Sequence, residues 1–270
     1  MTKSLMLGDT QLRLILDAKG TIEGDRVFHP LGREAWSVGL TPDAEGNIPI
    51  VVTGLLISEG ETHTLVDTGF GEEERPERED NLLRSLAAVG VQPKDISRVI
   101  LTHAHGDHCL GNTLHRQGRW LAAFPLAEYV IQEREIVEMR AKGDEIWRTR
   151  FEPLAERGQL RLLEGEAELT PTLACWPTPG HTSGHQSVLV RSGEHQALFL
   201  GDLAIVALNM ERTDCGPVWA WSRELDERNR RRIAAWAAEQ DAILIAGHDP
   251  QCPFFRITFD KGPRVVPLNT

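Results

Sequence analysis

The chain has 270 residues, 41% hydrophobic and 26% charged, with a formal net charge of −11. This is a globular balance rather than a disordered one, and the acidic excess argues against a nucleic-acid partner, which needs a basic face. No apolar run approaches the roughly 20 residues that cross a bilayer, and the start (MTKSLMLGDTQLRLILDAKG) lacks the apolar block and cleavage site of a signal peptide, so a cytoplasmic protein without membrane attachment is expected.

Apolar runs bounded by turn residues mark the elements in chain order. IPIVVTGLLIS (48–58) and THTLVD (62–67), separated by EGE, read as a hairpin of two strands. GFGEEERPERED (69–80) reads as a charged, solvated loop. Helical spacing of Leu82, Leu83, Leu86 and Val89, with Gly90 as a stop, predicts a helix over 79–91. SRVILT (97–102) is a short buried strand, and 125–143 reads as a helix that ends on a glycine. Strands follow at 173–178, 186–192, 196–202 and 242–248, with a helix at 224–239. The basic cluster ERNRRRIAAWAAEQ (227–240) fits the exposed stripe of that amphipathic helix. Interspersed strands and helices predict a mixed sheet with helices packed on it, and the lack of a convincing linker predicts a single domain, 1–270. Exposed aromatics near the N-terminus, Phe28 and Trp36, are compatible with a homodimer.

Chemistry-bearing residues collect where strands end. Asp67 closes TLV, His103 closes VILT, His181 follows ACWPTPG, Asp202 closes ALFLG, and His248 closes ILIAG. Strand ends that meet at a sheet edge are the usual sites of α/β proteins. The stretch LTHAHGDHCLGN (101–112) adds His105, Asp107 and His108, imidazole and carboxylate donors suited to zinc, iron, manganese or cobalt. His103 and His105 can reach one ion from one loop, while Asp107 and His108 point to another side of the cluster. Distant partners are then required, and His181, Asp202 and His248 are the candidates. Seven donors exceed one tetrahedral ion and suit two that share a bridge. A carboxylate bridges with its two oxygens, which singles out Asp202. The four cysteines (109, 175, 215, 252) form neither a disulfide framework nor a thiolate motif, and Cys109 is read as a buried thiol rather than a ligand.

THAHGDHCLGN, together with VDTG, PGHTSGHQS, FLGDLA and AGHD in this order, resembles the metallo-β-lactamase superfamily from about Val52 to Pro250. The resemblance implies an αββα sandwich, two mixed sheets face to face with helices outside, and a dinuclear site at one edge. It places His103, His105 and His181 on a first metal, and Asp107, His108 and His248 on a second, with Asp202 bridging. Asp67 becomes an orienting partner of the ligand loop, and His185 a supporting hydrogen-bonding residue. Two divalent ions sharing a water imply metal-assisted hydrolysis, with Asp107 able to carry a proton to the leaving group. The true β-lactamases of the family place cysteine where this chain has Asp202. An incomplete ligand set would suit a non-catalytic metal-binding module, and here all seven positions are filled. The PGHTSGHQS…GD…GHD series is similar to N-acyl homoserine lactonases, which implies a lactone or carboxylic ester substrate. Those enzymes carry a tyrosine soon after the bridging aspartate, whereas the only tyrosine here is Tyr129. The segment from Asp202 into the Arg-rich helix looks closer to the methyl parathion hydrolase-like branch, so a phosphotriester is the alternative substrate. His29, Trp219, Trp221, Phe254 and Phe255 are candidate pocket residues for an acyl chain or aryl leaving group.

Overall fold

A computed structural model describes residues 3–72 and 80–269. Most of the expected charged loop at 69–80 lies outside the described residues. The chain opens with β1 (Ser4–Leu7), β2 (Thr10–Glu23), two single-turn helices, α1 (Gly24–Val27) and α2 (Arg33–Trp36), then β3 (Asn47–Glu59) and β4 (Thr62–Val66). There follow α3 (Leu82–Ala88), β5 (Ile96–Ile100), α4 (Gly106–Cys109), a small hairpin of β6 (Thr113–Arg116) and β7 (Arg119–Ala122), β8 (Glu128–Gln132) and α5 (Glu133–Lys142). The remainder comprises α6 (Glu152–Glu156), β9 (Leu160–Leu163), β10 (Ala167–Glu168), β11 (Leu173–Pro177), β12 (Gln186–Ser192), β13 (His195–Phe199), α7 (Arg223–Glu239), β14 (Ile243–Ile245), β15 (Phe254–Phe259) and β16 (Pro263–Pro267). The chain divides into two compact units, Met1–Ala18 with Val52–Glu168 and Lys19–Val51 with Leu169–Thr270.

One seven-stranded sheet has the order β1-β2-β3-β4-β5-β8-β9 and the other runs β10 to β16 in sequence. Both are mixed. In the first, β3 and β4 are antiparallel, as the sequence predicts, while β4, β5, β8 and β9 run parallel. In the second, β13 and β14 are the parallel pair among antiparallel neighbours. Parallel strands buried on both faces read as continuous apolar runs. Leu65, Val66, Val99, Ile100, Val130 and Ile131 accordingly have no solvent exposure.

The parallel pairings position the site residues. Val66 pairs with Ile100, so the segments carrying Asp67 and Thr102–His103 leave the first sheet at one edge. Phe199 pairs with Ile245, and three residues beyond each come Asp202 and His248. Pro177 pairs with Gln186, so the intervening turn with His181 and His185 leaves that sheet at the edge where β13 ends.

Three expectations are corrected. The helix predicted at 125–143 is a strand in its first half, because Tyr129, Val130 and Ile131 form an apolar run with parallel partners in β5 and β9. Only α5 is helical, and it ends on Gly143 at φ 60. The basic stripe of α7 is not wholly a solvated face: Arg228 and Arg231 are exposed, but Arg230 is completely buried. Phe28 and Trp36 are also fully buried, stacked with ring centroids 5.6 Å apart, and offer no apolar face to a second copy. Among the described residues no helix is long and apolar enough to cross a membrane.

Candidate metal centre

In the first unit, hydrogen bonds set the tautomers of the histidine-rich loop. The Asp67 carboxylate accepts from the Thr102 amide at 2.8 Å, from the Thr102 hydroxyl at 2.8 Å and from His108 Nδ1 at 2.8 Å. His108 therefore carries its proton on Nδ1 and keeps a lone pair on Nε2, which lies 3.5 Å from Asp107 Oδ2. Because the Thr102 hydroxyl donates to Asp67, its oxygen accepts from His103 Nδ1 at 3.1 Å. The His103 lone pair then also sits on Nε2, 3.0 Å from His105 Nδ1. His103 and His108 are buried, whereas His105 is exposed and Asp107 half-buried. The facing His103 Nε2 and His105 Nδ1 are donors that suit a cation between them.

Two supports of this loop were not among the candidate site residues, although Gly111 lies within the THAHGDHCLGN stretch. Glu135 of α5, buried, accepts from the Ala104 amide at 3.0 Å and so pins the backbone between His103 and His105. In sequence it is one of several charged residues on a helix. Gly111 packs so closely on the Thr68 carbonyl that an added Cβ would lie 2.1 Å from its oxygen. The Thr68 amide donates to the His108 carbonyl, and the Gly111 amide to that of Gly69, so the two loops are joined backbone to backbone. Gly111→Ala is expected to destabilise the protein by about 3 kcal/mol, since neither backbone can yield cheaply. Gly20→Ala, where nothing approaches within 4 Å, serves as control with a change under about 0.5 kcal/mol. Urea titration of the two variants checks the difference. Cys109 is completely buried and donates its thiol to the Ala104 carbonyl. Burial and the neighbouring Asp107 push that thiol well above its ordinary pKa.

In the second unit the Asp202 carboxylate lies between two imidazoles. His181 Nε2 is 3.1 Å from Oδ2, and His248 Nε2 is 3.0 Å from Oδ1. His248 donates Nδ1–H to the Val51 carbonyl at 2.7 Å, which leaves its Nε2 lone pair facing a carboxylate oxygen. One oxygen per histidine is the geometry of a bridging carboxylate. The nitrogen and oxygen donors of both units suit zinc and its first-row neighbours.

His185 supports Asp202 without facing it side chain to side chain. Its Nε2 accepts the Asp202 amide at 3.0 Å, and its Nδ1 donates to the Thr178 hydroxyl at 2.8 Å. Thr178 bonds Ser187, whose hydroxyl donates to the Leu200 carbonyl. The chain of donors runs one way, from His185 Nδ1 through Thr178 and Ser187 to the Leu200 carbonyl. Asp249, missed in sequence because it follows a ligand candidate without a motif of its own, accepts from the amides of Ala207, Gln251 and Cys252 and ties down the loop after His248. On α7, Asp226 and Arg230 form a buried ion pair. Burial pushes the Asp226 carboxyl up to about 6, with the guanidinium opposing the rise.

The candidate pocket residues separate. Trp221 is 53% exposed, and its amide donates to the His181 carbonyl at 2.9 Å. Trp219 is half-buried against the cluster of Val27, Phe28, Trp36, Ile48, Ile205, Val206 and Cys215, with Arg26 above its ring. His29 is exposed, and its carbonyl accepts from the Gly216 amide. Phe254 and Phe255 have no exposure and build the interior, since apolar side chains in a strand beside β14 serve packing. Tyr129 is equally buried, its hydroxyl accepting from the Phe124 amide and donating to the Asn112 carbonyl. The four residues after Asp202 are buried and apolar.

The family model of the metallo-beta-lactamase superfamily matches residues 48–248. An N-acyl homoserine lactonase from Bacillus cereus is 26% identical over 256 residues, 88% of this chain and 93% of that protein. Among solved structures, a hydrolase of the beta-lactamase superfamily, AbOPH, superposes with a TM-score of 0.85 at 19% identity, over 100% of this chain and 98% of the other. AidC, a dizinc quorum-quenching lactonase in complex with a product, superposes with a TM-score of 0.80 at 21% identity, over 100% and 98%.

Proposed function

The chain belongs to the metallo-beta-lactamase superfamily, and from that premise we propose that it is a dinuclear metal-dependent hydrolase that opens lactones of the N-acyl homoserine type. The carrying observation is the Asp202 carboxylate with a histidine Nε2 on each oxygen. The lactonase relative supports the substrate class. By the family resemblance, His103, His105 and His181 would hold one ion, and Asp107, His108 and His248 the other, with Asp202 common to both. Zinc is the metal we assign, on the donor chemistry and on the dizinc neighbour.

A metal pair bound there supplies a water acidified towards neutrality and an electrophile for the ester carbonyl. The residues of the chain do the rest. Asp67 and Thr102 hold His103 and His108 in the tautomers that present Nε2. Asp107, half-buried and accessible, takes the proton of the attacking water and returns it to the ring oxygen as the carbonyl carbon–oxygen bond breaks. Trp221 lies beside the His181 loop as an apolar wall for the acyl chain, with Trp219 and His29 in the neighbouring segments. With Tyr129 locked in the interior, no tyrosine hydroxyl assists the carbonyl.

The test compares an acyl homoserine lactone, an aryl ester and a phosphotriester, each with zinc-loaded and with chelated protein. Metal-dependent lactone opening is expected to be the fastest. Rapid phosphotriester turnover with inert lactones would assign the chain to organophosphate hydrolysis instead, and no hydrolysis by the zinc-loaded protein would refute the reading.

A further inference from the structure

We infer that Asp226 and Arg230 of α7 are a positioning pair that sets the distance between the loop carrying His181 and the loop carrying Asp202. The inference rests on the metal-site reading above. Both side chains are wholly excluded from solvent. The Arg230 guanidinium donates to Asp226 Oδ2, to the Leu203 carbonyl at 3.3 Å, and to the Cys215 carbonyl. Leu203 adjoins Asp202, so one arm of the fork holds the bridging carboxylate's own turn.

The same stretch of helix grips the other loop. An added Cβ on Gly180, next to His181, would lie 2.4 Å from the Asp226 Cα, so loop and helix meet backbone to backbone. Asn229 Nδ2 donates to the Pro179 carbonyl at 2.7 Å, and the amides of Trp221 and Ser222, just before α7, donate to the carbonyls of His181 and Gly180. Residues 179–181 thus pack on Asp226 and bond to Asn229 and the segment before α7, while Leu203 is held by the Arg230 guanidinium that Asp226 orients.

Stability alone does not explain such a pair. Replacing a buried ion pair by apolar residues of similar volume is commonly neutral or stabilising. What an apolar pair cannot do is fork to two loop carbonyls at defined angles, and lysine cannot do so either. Gly216 fits the same constraint, since a Cβ there would lie 2.8 Å from the guanidinium.

The test uses the double variant Asp226→Leu with Arg230→Met, the single variant Arg230→Lys, and the exposed Arg228→Ala as control. Each is loaded with cobalt(II), its d–d spectrum is recorded, and metal release to a chelator is timed. Melting of the metal-free proteins is followed in parallel. The double variant is expected to keep the metal-free melting temperature of the wild type. It should also release metal at least about tenfold faster, with an altered spectrum. Arg230→Lys should show the same two changes, and it remains informative if the double variant does not fold. Wild-type spectra and release rates in folded variants would overturn the inference while leaving the metal site standing. A wild-type protein that takes up no cobalt would overturn the metal-site reading and this inference with it.

Discussion

Asp202→Ala is expected to lower lactone turnover about a thousandfold, some 4 kcal/mol of transition-state stabilisation. It should also leave the protein unable to retain two ions. The two oxygens of Asp202 each face a separate imidazole, at 3.1 and 3.0 Å. Without it, the ions proposed for His181 and His248 would lose the carboxylate that would join them. Metal that binds the folded state stabilises it in proportion to the logarithm of one plus the ratio of free metal to its dissociation constant. The wild type should therefore melt higher when zinc is added, and Asp202→Ala should gain far less. Metal content, kcat/KM and the zinc-induced melting shift check the three parts separately.

Asp67→Ala is expected to be the more damaging change for folding. Asp67 sits at φ 61, a region that aspartate tolerates better than alanine, and its carboxylate satisfies the Thr102 amide, the Thr102 hydroxyl and His108 Nδ1. Truncation strands a buried amide, which costs about 1–3 kcal/mol, and the backbone conformation adds roughly 1 kcal/mol more. Chemical denaturation should show a loss of about 3 kcal/mol. Asp67→Asn separates structure from metal binding. Its carbonyl oxygen still accepts from Thr102, so stability should fall by only about 1 kcal/mol. Its amide, facing His108, donates to Nδ1 and moves the ring proton to Nε2, the atom assigned to the metal. Metal affinity should fall about 10- to 100-fold, the range seen when such supporting partners are altered. An Asp67→Asn protein with wild-type zinc affinity would show that His108 does not bind through Nε2.

The strand-end placement of Asp67, His103, His181, Asp202 and His248 was legible in the sequence because each follows a short apolar run bounded by turn residues. The order of strands was not, since which run pairs with which depends on the sheet. The segment around Tyr129 shows the limit. Tyr129, Val130 and Ile131 lie in a stretch whose apolar residues also recur at helical spacing, and only the parallel partners decide for a strand. α7 shows a different limit. Its arginines look alike in a charged helix, yet Arg230 turns to the interior because two loop carbonyls and Asp226 await it there. Phe254 and Phe255 were plausible pocket residues by position alone. Their place in β15 beside β14 puts them inside. Glu135 and Asp249 act on backbone amides, and no residue pattern announces that kind of contact.

Metal-free protein titrated with zinc, with opening of an acyl homoserine lactone followed at each addition, tests the central claim most directly. The rate should climb until two equivalents per chain are bound and then level off. A rate that saturates at one equivalent, or that is already full in the metal-free protein, would contradict a dinuclear hydrolase built on Asp202.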